Sequence, residues 1–181
     1  REQRLQLKSN LGLQETDVPF PSGIYGLTKL QGEQAIEAVW EKHFIIRTSW
    51  VYSQFGSNFL KTMLRLASKR TSLSVVSDQI GTPTYAVDLA EVLLKIVTSK
   101  TKTFGIYNFS KKGQCSWYDF AHEIFLQKDI TIDLQAISTK LYPTPAKRPA
   151  YSVLDKSKIK ATFGVNINDW KTSLNNCLKH Y

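Results

Sequence analysis

Two periodicities alternate along this chain, and that alternation sets its fold class. Short runs dense in β-branched and aromatic residues give way repeatedly to segments whose apolar residues recur every three or four positions. Residues 44–52 (FIIRTSWVY), 73–76, 105–109 and 130–137 read as strands. Residues 24–40 read as a helix with Leu27, Leu30, Ala35, Ala38 and Val39 near one side. A second helix runs over 59–66 behind an N-cap at Ser57, and a third over 88–97. Ser116 caps a helix through Phe120, Ile124 and Phe125, with Asp119 in its first turn. Asp155 and Asp169 each start a short closing helix, and Gly164 ends the first. Turn chemistry fills 17–23, a loop with Gly81 and Pro83 fills 79–84, and a proline-rich stretch at 142–149 is an ordered loop or a domain seam. Strands alternating with helices make an α/β protein.

The chain has 181 residues, of which 42% are hydrophobic. That supports one domain or slightly more, with roughly 70% of the unfolded surface buried. No apolar run reaches the length of a membrane span. No secretory leader follows Arg1, and a chain opening on Arg1 rather than Met reads as a truncated or processed product. Cys115 and Cys177 lie far apart with no metal-ligand or redox spacing, which predicts two buried free thiols in a reducing cytoplasm. His43, His122 and His180 have no partner spacing either, and no metal site is expected.

The formal net charge is +9, and eight of the cations fall between Lys140 and Tyr181 against only Asp155 and Asp169. A solvated face is the plainest reading, a diphosphate-bearing ligand the second, nucleic acid the third. Arg, the usual base reader, occurs only six times, so no nucleic-acid partner is expected.

Tyr25 and Lys29 form Y-x-x-x-K, and so do Tyr107 and Lys111. On a helix such a pair lies about 6 Å apart. On a strand the separation is about 13 Å. Only Tyr25 and Lys29 sit in a helical pattern, so only they can act as a unit. A cation beside a phenol favours the phenolate. Such a phenol can pass a proton to a carbonyl oxygen. The competing reading pairs Lys29 with Glu33 at i+4 and leaves Tyr25 to pack or face solvent.

The segment YGLTKLQGE around Tyr25 resembles the active-site helix of the extended short-chain dehydrogenase/reductase family. The resemblance continues through FIIRTSWVYSQFGSNFLKTMLRLA, VVSDQIGTPTYAVDLAEVLLKIV, GIYNFS, SWYDFAHEIF, YPTPAKRPAYSVLD and ATFGVNINDW, each similar to the matching stretch of the dTDP-4-dehydrorhamnose reductases, in order over residues 15–175. It implies the C-terminal part of such a fold. Residues 1–53 would be a remnant of the dinucleotide-binding Rossmann-like domain, and 54–181 a smaller α/β substrate region with some elements packing back.

The resemblance also implies an activity: NADPH- or NADH-dependent reduction of the 4-keto group of dTDP-4-dehydro-6-deoxy-L-mannose to dTDP-L-rhamnose. Tyr25 would be the proton donor. Lys29 would ease loss of that proton, and both would meet the nicotinamide ribose. Trp50 would be the platform for the sugar, a role that suits an aromatic face against the apolar side of a pyranose; the alternative is a core Trp on a buried strand. Asn58, Arg148 and the basic C-terminal region would contact the diphosphate, Arg148 through its planar fork; the alternative for Arg148 is a surface ion pair. Asp78, Gln79, Gly81, Thr82 and Pro83 would shape the substrate loop, or form an ordinary turn. The implied partners are a dTDP-sugar and a second copy of the chain, with no membrane.

The sequence departs from the family in two places. None of its nine glycines forms the G-x-G-x-x-G turn that meets a pyrophosphate. The strand that carries a catalytic Ser or Thr ahead of the Tyr helix has no counterpart in REQRLQLKSN. Weak NAD(P)H binding and an orphaned apolar surface on residues 24–50 are therefore expected, the latter favouring dimerisation, swapping or reduced stability. A nucleotide-sugar-binding or regulatory module without catalysis is the rival reading.

Overall fold

The computed structural model describes residues 12–21, 23–144 and 148–181. The expectations for residues 1–10, and part of that for 142–149, lie outside them. The first helix, α1 (Ile24–Val39), leads to strand β1 (Phe44–Arg47) and the short β2 (Val51–Tyr52). Helix α2 (Phe59–Ala67), β3 (Ser72–Val76), β4 (Ile80–Gly81) and β5 (Thr84–Tyr85) follow. Then come α3 (Ala86–Thr98), β6 (Gly105–Asn108), β7 (Cys115–Ser116), α4 (Trp117–Gln127) and β8 (Asp133–Ile137). A 3-10 turn (Thr139–Leu141) precedes the closing helices α5 (Ser157–Phe163) and α6 (Trp170–Leu178).

The fold is α/β, and its pairings are mostly parallel. β1 pairs with β6, β2 with β5 and β3 with β8, all parallel, while β4 pairs antiparallel with β7. Two apolar clusters result. One gathers Tyr52, Leu60, Leu73, Phe120, Ile124 and Leu174 where α2, α4 and α6 meet β3. The other gathers Val92, Ile96, Tyr107, Phe109, Ile159 and Phe163 around β6, α3 and α5. Chain from beyond residue 100 thus returns to β1, placing the end of β6 beside the end of β1.

Three elements differ from the sequence reading. The strand expected over 44–52 is two strands, because Trp50 takes a left-handed φ of 48° that no extended ladder accepts. β1 keeps to β6, and the chain then crosses to pair with β5. The loop expected over 79–84 contains β4 and β5, with Thr82 and Thr84 fully buried. The cap of α2 is Asn58 rather than Ser57: its Oδ1 accepts from the Lys61 N–H, while its amide donates to the carbonyls of Ser53 and Phe55. Serine has no second donor for that arrangement.

Other local readings hold. Gly164 closes α5 at φ 57°, and Asp169 caps α6. Asp155 accepts from the Ser157 N–H at the start of α5, although Lys156 stands between them as N-cap. Ser116 and Asp119 form a reciprocal capping box on α4. Ser116 is also buried. Ser116→Ala is expected to cost about 1–2 kcal/mol in a urea titration, because it strips a helix cap. Both cysteines are free and buried; burial pushes the Cys177 thiol up to about 11 and moves the Cys115 thiol further in the same direction.

The Lys171 ammonium reaches Glu123 at 2.8 Å and ties α6 to α4. Burial works against the Glu123 carboxylate, but hydrogen bonds from Lys171 and Gln127 outweigh it and hold the group below its usual range. A depressed carboxylate contributes stability that is complete above its unfolded value, near 4.3. That contribution fades as pH falls through the folded value. Thermal melts from pH 7 to pH 3 should show this acid loss shallower in Glu123→Gln than in the unsubstituted chain.

Candidate functional site

Helix α1 presents Tyr25 and Lys29 one turn apart. The Lys29 Nζ stands 5.5 Å from the centroid of the Tyr25 ring, and Tyr25 is 77% exposed. Glu33, one further turn along, is held by Arg47 at the end of β1: Nε donates to Oε1 at 2.9 Å and Nη2 to Oε2 at 2.6 Å. The second Y-x-x-x-K match has a different fate. Tyr107 is fully buried and donates to the carbonyl of Thr103, while Lys111 makes a buried ion pair with Asp88 at 2.8 Å. Those two side chains serve packing, as strand spacing requires.

Three residues past Arg47, Trp50 is fixed from several directions. Its left-handed backbone is a strained conformation for a bulky residue. Its carbonyl accepts from the Thr84 N–H at 3.1 Å, and the neighbouring Ser49 hydroxyl donates to the Thr82 carbonyl at 2.9 Å. The indole stacks on Trp117, centroids 3.6 Å apart and planes 11° from parallel. Gly81 lies so close that a Cβ there would meet Trp50 Cε2 at 2.5 Å. Trp50 is half-buried at a break between strands, not a strand-core residue.

Trp117 also lines a cavity of about 740 Å³. Phe59 and Tyr142 add aromatic wall, and Arg70 and Arg148 bring two guanidinium groups to it. Gln79 lines it too, and its amide donates to the Thr139 hydroxyl at 3.0 Å. Asp78 accepts from the Thr139 N–H and hydroxyl, and those bonds hold its carboxyl below the ordinary range. The 78–79 turn is thereby tied to the 3-10 turn that forms one wall. Thr82 donates to the Gly113 carbonyl at 2.8 Å and ties its segment to the stretch before β7.

The structure brings Arg148, Gln79 and, through Trp117, Trp50 to one place. Tyr25 and Lys29 lie on α1, outside the cavity lining, and Asn58 is occupied as a helix cap. Among the basic C-terminal residues, Lys171 bonds Glu123 and Lys158 donates to the Ile106 carbonyl, and neither lines this cavity. Arg70 and Trp117 were not singled out from sequence, since each sits in a stretch whose local pattern explains it without a ligand. Among the described residues no cluster of metal-binding side chains forms, and no helix is long and apolar enough to cross a membrane.

Residues 8–181 match the RmlD substrate binding domain. The chain belongs to the RmlD substrate binding domain family. Among curated members, the dTDP-4-dehydrorhamnose reductase of Aggregatibacter actinomycetemcomitans is 44% identical over 173 residues, 90% of this chain and 58% of that protein. A crystal structure of a dTDP-4-dehydrorhamnose reductase from Clostridium acetobutylicum superposes with a TM-score of 0.89 at 43% identity, covering 93% of this chain and 59% of that one. The Bacillus anthracis reductase, solved in complex with NADP, gives 0.88 at 36% identity, covering 94% and 59%. The chain therefore spans under three fifths of the length of these relatives.

Proposed function

We infer that this chain supplies the sugar-nucleotide site and the proton-transfer pair of a dTDP-4-dehydrorhamnose reductase. The observation that carries the reading is the cavity: aromatic walls, two arginines, and the Trp50–Trp117 stack at its side. Arginine forks suit a diphosphate. Flat apolar walls suit a base, and an indole face suits a sugar. The ligand class is a nucleoside diphosphate sugar.

In this reading Tyr25 holds the proton that the 4-keto oxygen takes up, and Lys29 stabilises the phenolate left behind. Their exposure on α1 leaves both side chains open to a ribose and a carbonyl approaching from outside this chain. A nicotinamide cofactor, when bound, supplies the hydride. The donor set fits that group in part. A phenol and an ammonium are suitable partners for a ribose, but no glycine turn of this sequence offers backbone N–H groups to the pyrophosphate. The chain by itself is expected to bind NADPH or NADH weakly or not at all, with no turnover. Saturable micromolar binding in a fluorescence titration would contradict this.

Helix α1 buries none of its residues; Ile24 is 81% exposed and Val39 79%. Helices of parallel α/β folds normally lie against a sheet. This face is the surface for the remaining part of a reductase, or for a second copy, and light scattering is expected to show self-association. The rival reading is a binding module without catalysis. Calorimetry tests the shared step: dTDP and dTDP-rhamnose should both bind, the second more tightly, and Trp50→Ala should erase the difference. Absence of dTDP binding defeats both readings. Turnover with a reductase's dinucleotide-binding half supplied separately, lost in Tyr25→Phe, would decide for the enzyme.

A further inference from the structure

Tyr25, Lys29 and Glu33 stand at successive i+4 positions, one stripe along α1. That stripe sets a competition. The Lys29 ammonium can lean back over the Tyr25 ring or forward to a carboxylate one turn away, and pairs of the second kind are common on exposed helices. Of the residues three or four positions from Lys29, Glu33 alone is acidic. In the structure Lys29 lies over Tyr25, and Glu33 is engaged elsewhere.

We propose that Arg47 is a positioning residue for the Tyr25–Lys29 pair: by gripping both oxygens of Glu33 it withholds that carboxylate from Lys29 and leaves the ammonium over the phenol. The function assigned to the pair rests on the reductase reading. The geometry of the bridge favours Arg47 in the contest. It is bidentate, charge-assisted and partly buried, with side-chain exposures of 22% and 17%. A bidentate fork outcompetes a single ammonium on a solvated helix face. The arginine is itself anchored, since β1 pairs with β6 and the Arg47 carbonyl accepts from the Phe109 N–H at 2.8 Å. Glu37 on α1 and Glu15 on the segment before it also face the guanidinium. Neither lies one turn from Lys29, so neither replaces Glu33 as its rival. Arg47 is also three residues from Trp50, so one bridge ties the helix bearing the proton donor to the strand that leads to the sugar platform.

The test is nuclear magnetic resonance on the whole 181-residue chain with isotope-labelled lysine and tyrosine. The readouts are the Overhauser contact between the Lys29 ε-methylene and the Tyr25 ring, and the ring-current shift it causes. Both should be present in the unsubstituted chain and lost in Arg47→Met, where Glu33 is free to take the ammonium. Both should return in Arg47→Met with Glu33→Gln, which still lacks the bridge but has no rival carboxylate. A bridge that merely braced the helix would leave the double variant as impaired as the single one, and that result overturns the proposal. So does a contact that survives Arg47→Met unchanged. If Arg47→Met fails to fold, Glu33→Gln alone decides: the contact should persist, and its loss overturns the proposal. No ligand enters these measurements, so their failure is separable from failure of dTDP binding, which is read by calorimetry.

Discussion

Gly81→Val is expected to destabilise the chain by about 2–4 kcal/mol and to remove the extra affinity that the sugar adds to dTDP. The cause is steric. A Cβ at this position would lie 2.5 Å from Trp50 Cε2, 2.7 Å from Cζ2 and 2.8 Å from the Ser152 hydroxyl. Ser152 cannot retreat easily, because its N–H donates to the Ile80 carbonyl at 2.8 Å and its hydroxyl points to the same oxygen. The indole must therefore move, and its movement opens the stack on Trp117. Overpacking of this kind costs about 1–3 kcal/mol. Loss of an aromatic pair adds about 1 kcal/mol. Urea titration reads the stability, near-ultraviolet dichroism reads the indole pair, and calorimetry with dTDP and dTDP-rhamnose reads the sugar increment. A stable variant with an intact sugar increment would remove Trp50 from the site.

The contrast between Trp50 and the capping box of α4 shows what a sequence carries locally. Ser116 and Asp119 stand three positions apart, and a helix start needs nothing else to be recognised. The two Y-x-x-x-K matches were separable for the same reason, since helix and strand periods are local properties. The SWVY motif singles out Trp50 by resemblance, but nothing in it signals the left-handed backbone. The residues from Phe44 to Tyr52 favour strand throughout, and the break exists because β6 and β5, at distant points in the chain, take the two halves. Asn58 shows a subtler case. Ser57 and Asn58 are both good caps, and the choice rests on two carbonyls in the preceding loop that only an amide can reach while capping. The convergence of Arg70, Trp117 and Arg148 has no sequence signal, because the three come from the loop after α2, the start of α4 and the stretch before α5.

Removing both guanidinium groups from the cavity is expected to give the largest loss of ligand affinity. Hydrogen bonds to charged groups contribute about 1.5–3 kcal/mol each. Arg70→Ala and Arg148→Ala should each weaken dTDP binding about tenfold or more. The double variant should lose roughly a hundredfold or more if the two act independently. Charge and fork geometry are separable here. Arg148→Lys keeps the cation but replaces a planar fork with a point charge, so it should recover only part of the loss. Salt offers a second handle. Two exposed cations facing a diphosphate make affinity fall as ionic strength rises. That dependence should flatten in the double variant, while the stability of the free chain stays within about 0.5 kcal/mol, as expected for surface substitutions. An affinity unchanged by either substitution would mean that dTDP binds without these two guanidinium groups, and the cavity would lose its assignment to the diphosphate. Full recovery by Arg148→Lys would leave the phosphates in place but assign them to the cavity's charge rather than to a fork.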